Sequence, residues 1–124
     1  MHRLALAAAL LSPALALAQP VRAVQPLDGH VCMGLNVPVE FLRNGPLPFV
    51  LAAPRQAAPH LGTAGATVLL STRRTPVNGF APVMHLDGRL GWIEAKKLRA
   101  WRSESDPGAT CTPMLMSDGR PGFR

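Results

Sequence analysis

Acidic residues are scarce in this chain, with only seven Asp and Glu among 124 residues. They are spread thinly, and no two have a spacing suited to general acid–base work. No Gly-rich phosphate loop is present. There are two cysteines, and neither stands in a peptidase or transpeptidase signature. A thiolate nucleophile needs a histidine beside it, and His30, two residues from Cys32, is the only suggestive neighbour. No internal repeat or low-complexity tract occurs. Tyrosine is absent. Trp92 and Trp101 are the best binding candidates, since an aromatic at a strand edge can stack on a peptide or sugar. These absences point to a protein that is not an enzyme and carries no cofactor.

Long apolar runs are also missing beyond the N-terminus. Met1-His2-Arg3 carries charge, Leu4 to Leu17 is almost wholly apolar, and Ala16-Leu17-Ala18 offers small residues for cleavage. That layout predicts a signal peptide over residues 1–18, cut before Gln19. The run is short for a membrane span. A retained anchor helix is the competing reading. No cysteine stands at the cleavage point and no twin arginine precedes the run, so the expectation is a soluble periplasmic or secreted protein with no transmembrane segment after cleavage. Residues 19–124 then form one domain. Thirteen prolines and eleven glycines favour turns and short strands over long helices. The net charge of +6 would suit nucleic acid in a cytosolic protein, but export argues against that partner. Anionic lipid or cell-wall material is the natural exported counterpart. The plainer alternative is that the charge only maintains solubility.

Two cysteines in a small exported chain imply a disulfide, here Cys32 to Cys111. It would close a loop of about 80 residues and stabilise the fold by roughly 4–5 kcal/mol in the chain-entropy picture. Free thiols or metal ligands are the alternative.

The richest stretch is 65–101, where short apolar runs are separated by Asn78-Gly79 and Asp87-Gly88 and the chain closes on Gly91-Trp92-Ile93. Such runs predict consecutive hairpins. Strands are expected at Phe49–Leu51, Thr67–Thr72, Phe80–Leu86 and Leu90–Glu94. A tight helical turn over 95–98 and a closing strand at Arg99–Trp101 follow. Pro82 suggests an edge position for its strand. Residues 19–30 read as a loose lead-in, 52–63 as a long irregular loop, and 103–124 as a polar tail held mainly by Cys111. Residues 31–44 have room for one helical turn, with Pro38 at its start and Asn44-Gly45 as its stop.

The ordered series Ala52-Ala53-Pro54, Pro59-His60-Leu61-Gly62-Thr63, Gly65-Ala66-Thr67-Val68, Asn78-Gly79-Phe80 and Asp87 to Ile93, closed by Leu98, resembles the bacterial SH3 (SH3b) family of exported and cell-wall-associated proteins. The resemblance covers about residues 48–102. Residues 19–47 and 103–124 lie outside it as N-terminal extension and C-terminal tail. Phe80 stands where tryptophan is more usual, and the loop Arg73 to Val77 is basic. The resemblance implies an all-β fold, a small five-stranded SH3-like barrel with short irregular extensions. It also implies a binding module for peptidoglycan or an envelope protein.

On that barrel Trp92, Lys96, Arg55 and Phe80 are the candidate binding residues, with the loop Ala52 to His60 bordering the groove. An aromatic flanked by a cation suits a peptide stem carrying carboxylates. Trp92 as a core plug is the opposing reading. Two other functions stand beside this one. The first is a structural or accessory periplasmic protein without a small ligand. The second is a Cu(I) protein using soft ligands among His30, Cys32, Met33, Met84, His85, Met114 and Met116.

Overall fold

The computed structural model describes residues 19–124, and the expected signal peptide at 1–18 lies outside the described residues. The fold is all-β in character, but the closed five-stranded barrel is corrected. Ten strands among the described residues form two sheets. The larger holds β2 (His30–Leu35), β3 (Phe49–Leu51), β4 (His60–Thr63), β5 (Thr67–Ser71), β6 (Phe80–Met84), β7 (Leu90–Glu94) and β8 (Leu98–Ala100). The smaller holds β1 (Ala23–Pro26), β9 (Pro113–Met116) and β10 (Pro121–Phe123). One helical turn, α1, spans Phe41–Asn44, and a 3-10 turn spans Ala95–Lys97.

The larger sheet runs β4-β3-β7-β6-β5-β2-β8, all antiparallel. Two reversals between these strands come from the expected dipeptides. Asn78 (φ 52°) and Gly79 (φ 79°) both have left-handed backbone, and Val77 and Phe80 exchange two backbone hydrogen bonds across them. That is the twist-matched two-residue reversal that Asn-Gly favours. At Asp87-Gly88 the loop is longer, since the His85 N–H donates to the Arg89 carbonyl and the Gly88 N–H to the His85 carbonyl. Asp118-Gly119 makes the same kind of loop between β9 and β10, with the Met116 N–H donating to Arg120 and the Gly119 N–H to Met116.

Period-two alternation decides which side chains make the core. Val50, Val68, Ala81, Val83 and Ile93 share the inner face and are buried with Leu35. Val83 and Ile93 are fully enclosed, and burying a side chain of that size contributes about 1.5–3 kcal/mol. On the outer face Leu51, Ala58 and Phe80 form a second cluster, with Trp92 and Ala53 packed on it. Both faces of β6 are therefore covered.

Several segments differ from expectation. Pro82 is enclosed in a central strand and not at an edge. It fits because the β5–β6 ladder stops at Leu70↔Val83, one pair short of it, so its missing N–H breaks no ladder bond. The tail and the lead-in are not loose. Residues 23–26 pair with 113–116, and 121–123 complete that sheet. His30–Leu35 is a full strand between β5 and β8, and its Cys32 is bonded to Cys111, with Cα atoms 6.1 Å apart. The predicted long loop ends early, because His60–Thr63 pairs with β3. The helical turn begins at Phe41 and not at Pro38, and stops as expected at Gly45, whose φ of 51° suits glycine.

Candidate peptide-binding groove

The β3–β7 ladder consists of a single pair, Leu51↔Trp92. Beyond it a cavity of about 370 Å³ opens, lined from these strands by Phe49, Leu51, Ile93 and Glu94. The opposite wall is the segment that precedes β3. Pro46, Leu47 and Pro48 lie there, with Pro38 and Phe41 from the neighbourhood of α1. Three prolines make that wall stiff, since each has a fixed φ. Asn36 pins the segment in place. Its N–H donates to the Lys97 carbonyl at 2.8 Å and its Nδ2 to the Lys96 carbonyl at 3.2 Å.

At the mouth, Phe49 and His60 stack with ring centroids 3.9 Å apart and planes 18° off parallel. Phe49 is 48 % exposed, and His60 is exposed beside it. Gln56, from the loop 52–60, lines the same cavity. Charge enters from Glu94 and Lys97. The Glu94 carboxylate is engaged by Lys96 Nζ at 3.3 Å. Lys97 makes no ion pair among the described residues, so the groove presents one uncompensated cation. The arrangement holds apolar walls, an exposed aromatic platform and one positive charge. It can bind an elongated ligand with an acidic group.

The four expected binding residues are placed elsewhere. Trp92 and Phe80 do come together, on the outer-face cluster with Leu51 and Ala58, and the Arg74 guanidinium covers the Trp92 ring. Neither lines the groove. Lys96 contributes through its grip on Glu94 and its carbonyl. Arg55 is exposed in the loop over the cluster; its N–H donates to the Ala53 carbonyl at 2.8 Å. From the loop Ala52 to His60, Gln56 and His60 line this cavity, which Trp92 and Lys96 do not. The cavity-lining residues that were not candidates from the sequence are Phe49, Lys97 and the proline wall. Pro46 and Pro48 beside Phe49 are visible in the sequence, but only the fold sets them opposite β7. Of the soft ligands, Cys32 is bonded to Cys111 and offers no thiolate. Met114 is 2 % exposed. The His30 Nδ1 lies 3.0 Å from the Asp28 carbonyl.

The hairpin between β6 and β7 shields the open edge of β4. His85 Nε2 is 3.2 Å from the Thr63 carbonyl, and the Arg89 guanidinium donates to the Leu61 carbonyl. Capped carbonyls discourage a foreign strand from adding there. Asp87 holds Arg89 in position with both carboxylate oxygens. Those hydrogen bonds hold its carboxyl well below the usual carboxylate range.

No protein-family model, curated protein or solved structure matches this chain.

Proposed function

We propose that this protein is a non-catalytic exported binding module that holds an extended peptide chain of the cell envelope, either cell-wall peptide or a segment of an envelope protein. The carrying observation is the groove beside β3, with the Phe49–His60 stack at its mouth and Lys97 within it. Stacked rings and proline walls suit an elongated chain with apolar side chains. The lone cation suits a carboxylate on that chain. The disulfide between Cys32 and Cys111 fits an oxidising compartment. The ordered SH3-like series in the sequence supports the same reading.

The test is retention on purified sacculi and on immobilised envelope protein extract at moderate salt. Wild-type protein is expected to be retained on one of the two, and a Phe49→Ala, His60→Ala double variant to be lost while its melting temperature holds. The Trp92→Phe variant keeps binding. Equal retention of the double variant and wild type removes the groove from the proposal. No retention on either support favours a structural role without a small ligand.

A further inference from the structure

The backbone around the groove narrows the kind of chain it takes. Hydrogen-bonding direction alternates along an antiparallel strand. Along β3, the Pro48 carbonyl accepts from the Ala64 N–H and the Ala52 N–H donates to the Pro59 carbonyl, both toward β4. Alternation therefore turns the polar groups of Phe49 and Leu51 toward β7. On β7, the Ala95 N–H donates to the Gly79 carbonyl on the β6 side. Glu94 is thus turned toward β3. Leu51 meets its partner in the pair with Trp92. The next pair in register, Phe49 with Glu94, is not made, and the cavity lies between them. By that alternation the N–H and C=O of Phe49 face the cavity, which offers one strand residue's worth of pairing to whatever fills the groove.

We infer that the groove takes an all-L protein segment, in extended conformation, which adds as a short strand against Phe49 and sets an Asp or Glu side chain on Lys97. This deepens the binding-module reading and rests on it. Incoming backbone exchanges hydrogen bonds with Phe49, as in other strand-addition modes. Its apolar side chains meet the wall of Pro46, Pro48 and Phe41. The engaged Glu94 carboxylate leaves Lys97 available for the acidic side chain. Cell-wall stem peptides contain D residues. A D centre has the mirror-image backbone preference of an L residue and disturbs the period-two alternation of side chains along a strand. An L-protein segment fits this edge better.

A random nine-residue L-peptide phage library is selected on the immobilised full chain. The enriched peptide is then titrated into 15N-labelled protein. Expected are enrichment of Asp or Glu in the selected sequences and a shifted, exchange-protected Phe49 amide. Affinity falls at least tenfold when the peptide residue facing Phe49 is N-methylated, and at least tenfold for Lys97→Gln at unchanged melting temperature. A selected peptide that leaves the Phe49 amide unshifted, or that binds Lys97→Gln as tightly as wild type, overturns the inference. Soluble muropeptides from digested sacculi form the second arm. If they perturb Phe49 and Lys97 while no library peptide is enriched, the L-protein assignment falls and the binding-module reading stands. If neither probe perturbs the groove, both fall.

Discussion

The Arg74 guanidinium carbon sits 4.8 Å from the centroid of the Trp92 ring. Ser71, buried beneath the loop, fixes that approach by accepting hydrogen bonds from the N–H groups of Arg73 and Arg74 at 3.3 and 3.1 Å. Trp92 therefore has a cation on its open side and Leu51, Ala58 and Phe80 beneath it. Its environment is that of a packed side chain and not of an unoccupied stacking platform. Trp92→Ala should lower stability by about 3 kcal/mol, the low end of the range for a large aromatic because one face is partly open. Arg74→Ala should lower it by about 0.5–1 kcal/mol. Urea unfolding of the two variants and the double variant measures both costs and their coupling. A Trp92→Ala protein as stable as wild type would contradict the packing account.

The Cys32–Cys111 bond should be the main tie between the two sheets. It joins β2 of the larger sheet to the segment leading into β9. Intact-mass measurement without reductant should show no free thiol. The Cys32→Ala, Cys111→Ala double variant should be about 4 kcal/mol less stable, as expected for cutting a bridge that closes a long loop. Proteolysis should then attack residues 103–124 first. An unchanged cleavage pattern would show that β1 and β9 hold that sheet without the bridge.

Local turn chemistry was the most legible part of this fold. Asn78-Gly79 and Asp87-Gly88 each impose a backbone geometry that few other dipeptides tolerate, so the strands flanking them were readable. Pro82 misled because the edge rule assumes that both sides of a strand are fully paired, and here the β5 ladder stops before reaching it. The terminal strands were illegible for a different reason. Ala23–Pro26 and Pro121–Phe123 are short and contain proline, and they become strands only when chain distant in sequence pairs with them. Asp118-Gly119 carries the same signal as Asp87-Gly88, but only the three residues Pro121–Phe123 follow it as a strand. At the site, Trp92 stands out in the sequence as an aromatic beside cations, whereas the groove arises where β3 and β7 separate. A gap in pairing has no residue signature.

Gly91 on β7 lies close against β3 and β4. A Cβ there would lie 2.5 Å from Val50 Cγ1, 2.9 Å from the Leu51 carbonyl oxygen and 3.0 Å from Leu61 Cδ1. The carbonyl belongs to β3 and cannot move without disturbing the Leu51↔Trp92 pair. Gly91→Ala should therefore cost about 2–3 kcal/mol, as overpacking of a tight core does. It should also loosen the groove wall. Gly79→Ala is the control, because a Cβ there meets nothing within 4 Å but the φ of 79° is strained. That strain costs about 1–2 kcal/mol. Thermal melts of both variants test the ranking, and a Gly91→Ala protein more stable than Gly79→Ala would reverse it.

Acid should weaken the β6–β7 hairpin through Asp87. Unfolded, this carboxyl titrates near the ordinary Asp value of about 3.9. Folded, hydrogen bonds from the Arg89 side chain and backbone N–H hold it well below that. Asp87 raises the affinity of Arg89 for its proton in return. A depressed folded pKa contributes stability that is fully present above the unfolded value. Between the two values the unfolded chain binds more protons, so the contribution shrinks as pH falls below about 4. Both partners are solvent-accessible, so the effect is small and salt-sensitive. Melting temperature recorded from pH 6 to pH 2 for wild type and Asp87→Asn should converge at the acid end. Wild type should be the more stable above pH 5. Added salt should narrow the gap at neutral pH. Losing Asp87 also frees Arg89 from the Leu61 carbonyl that it covers, which exposes the edge of β4. The variant should accordingly self-associate more than wild type at neutral pH, visible by sedimentation. Parallel melting curves would show that the Asp87–Arg89 contact contributes nothing to folding, and an unchanged sedimentation profile would show that β4 needs no cover.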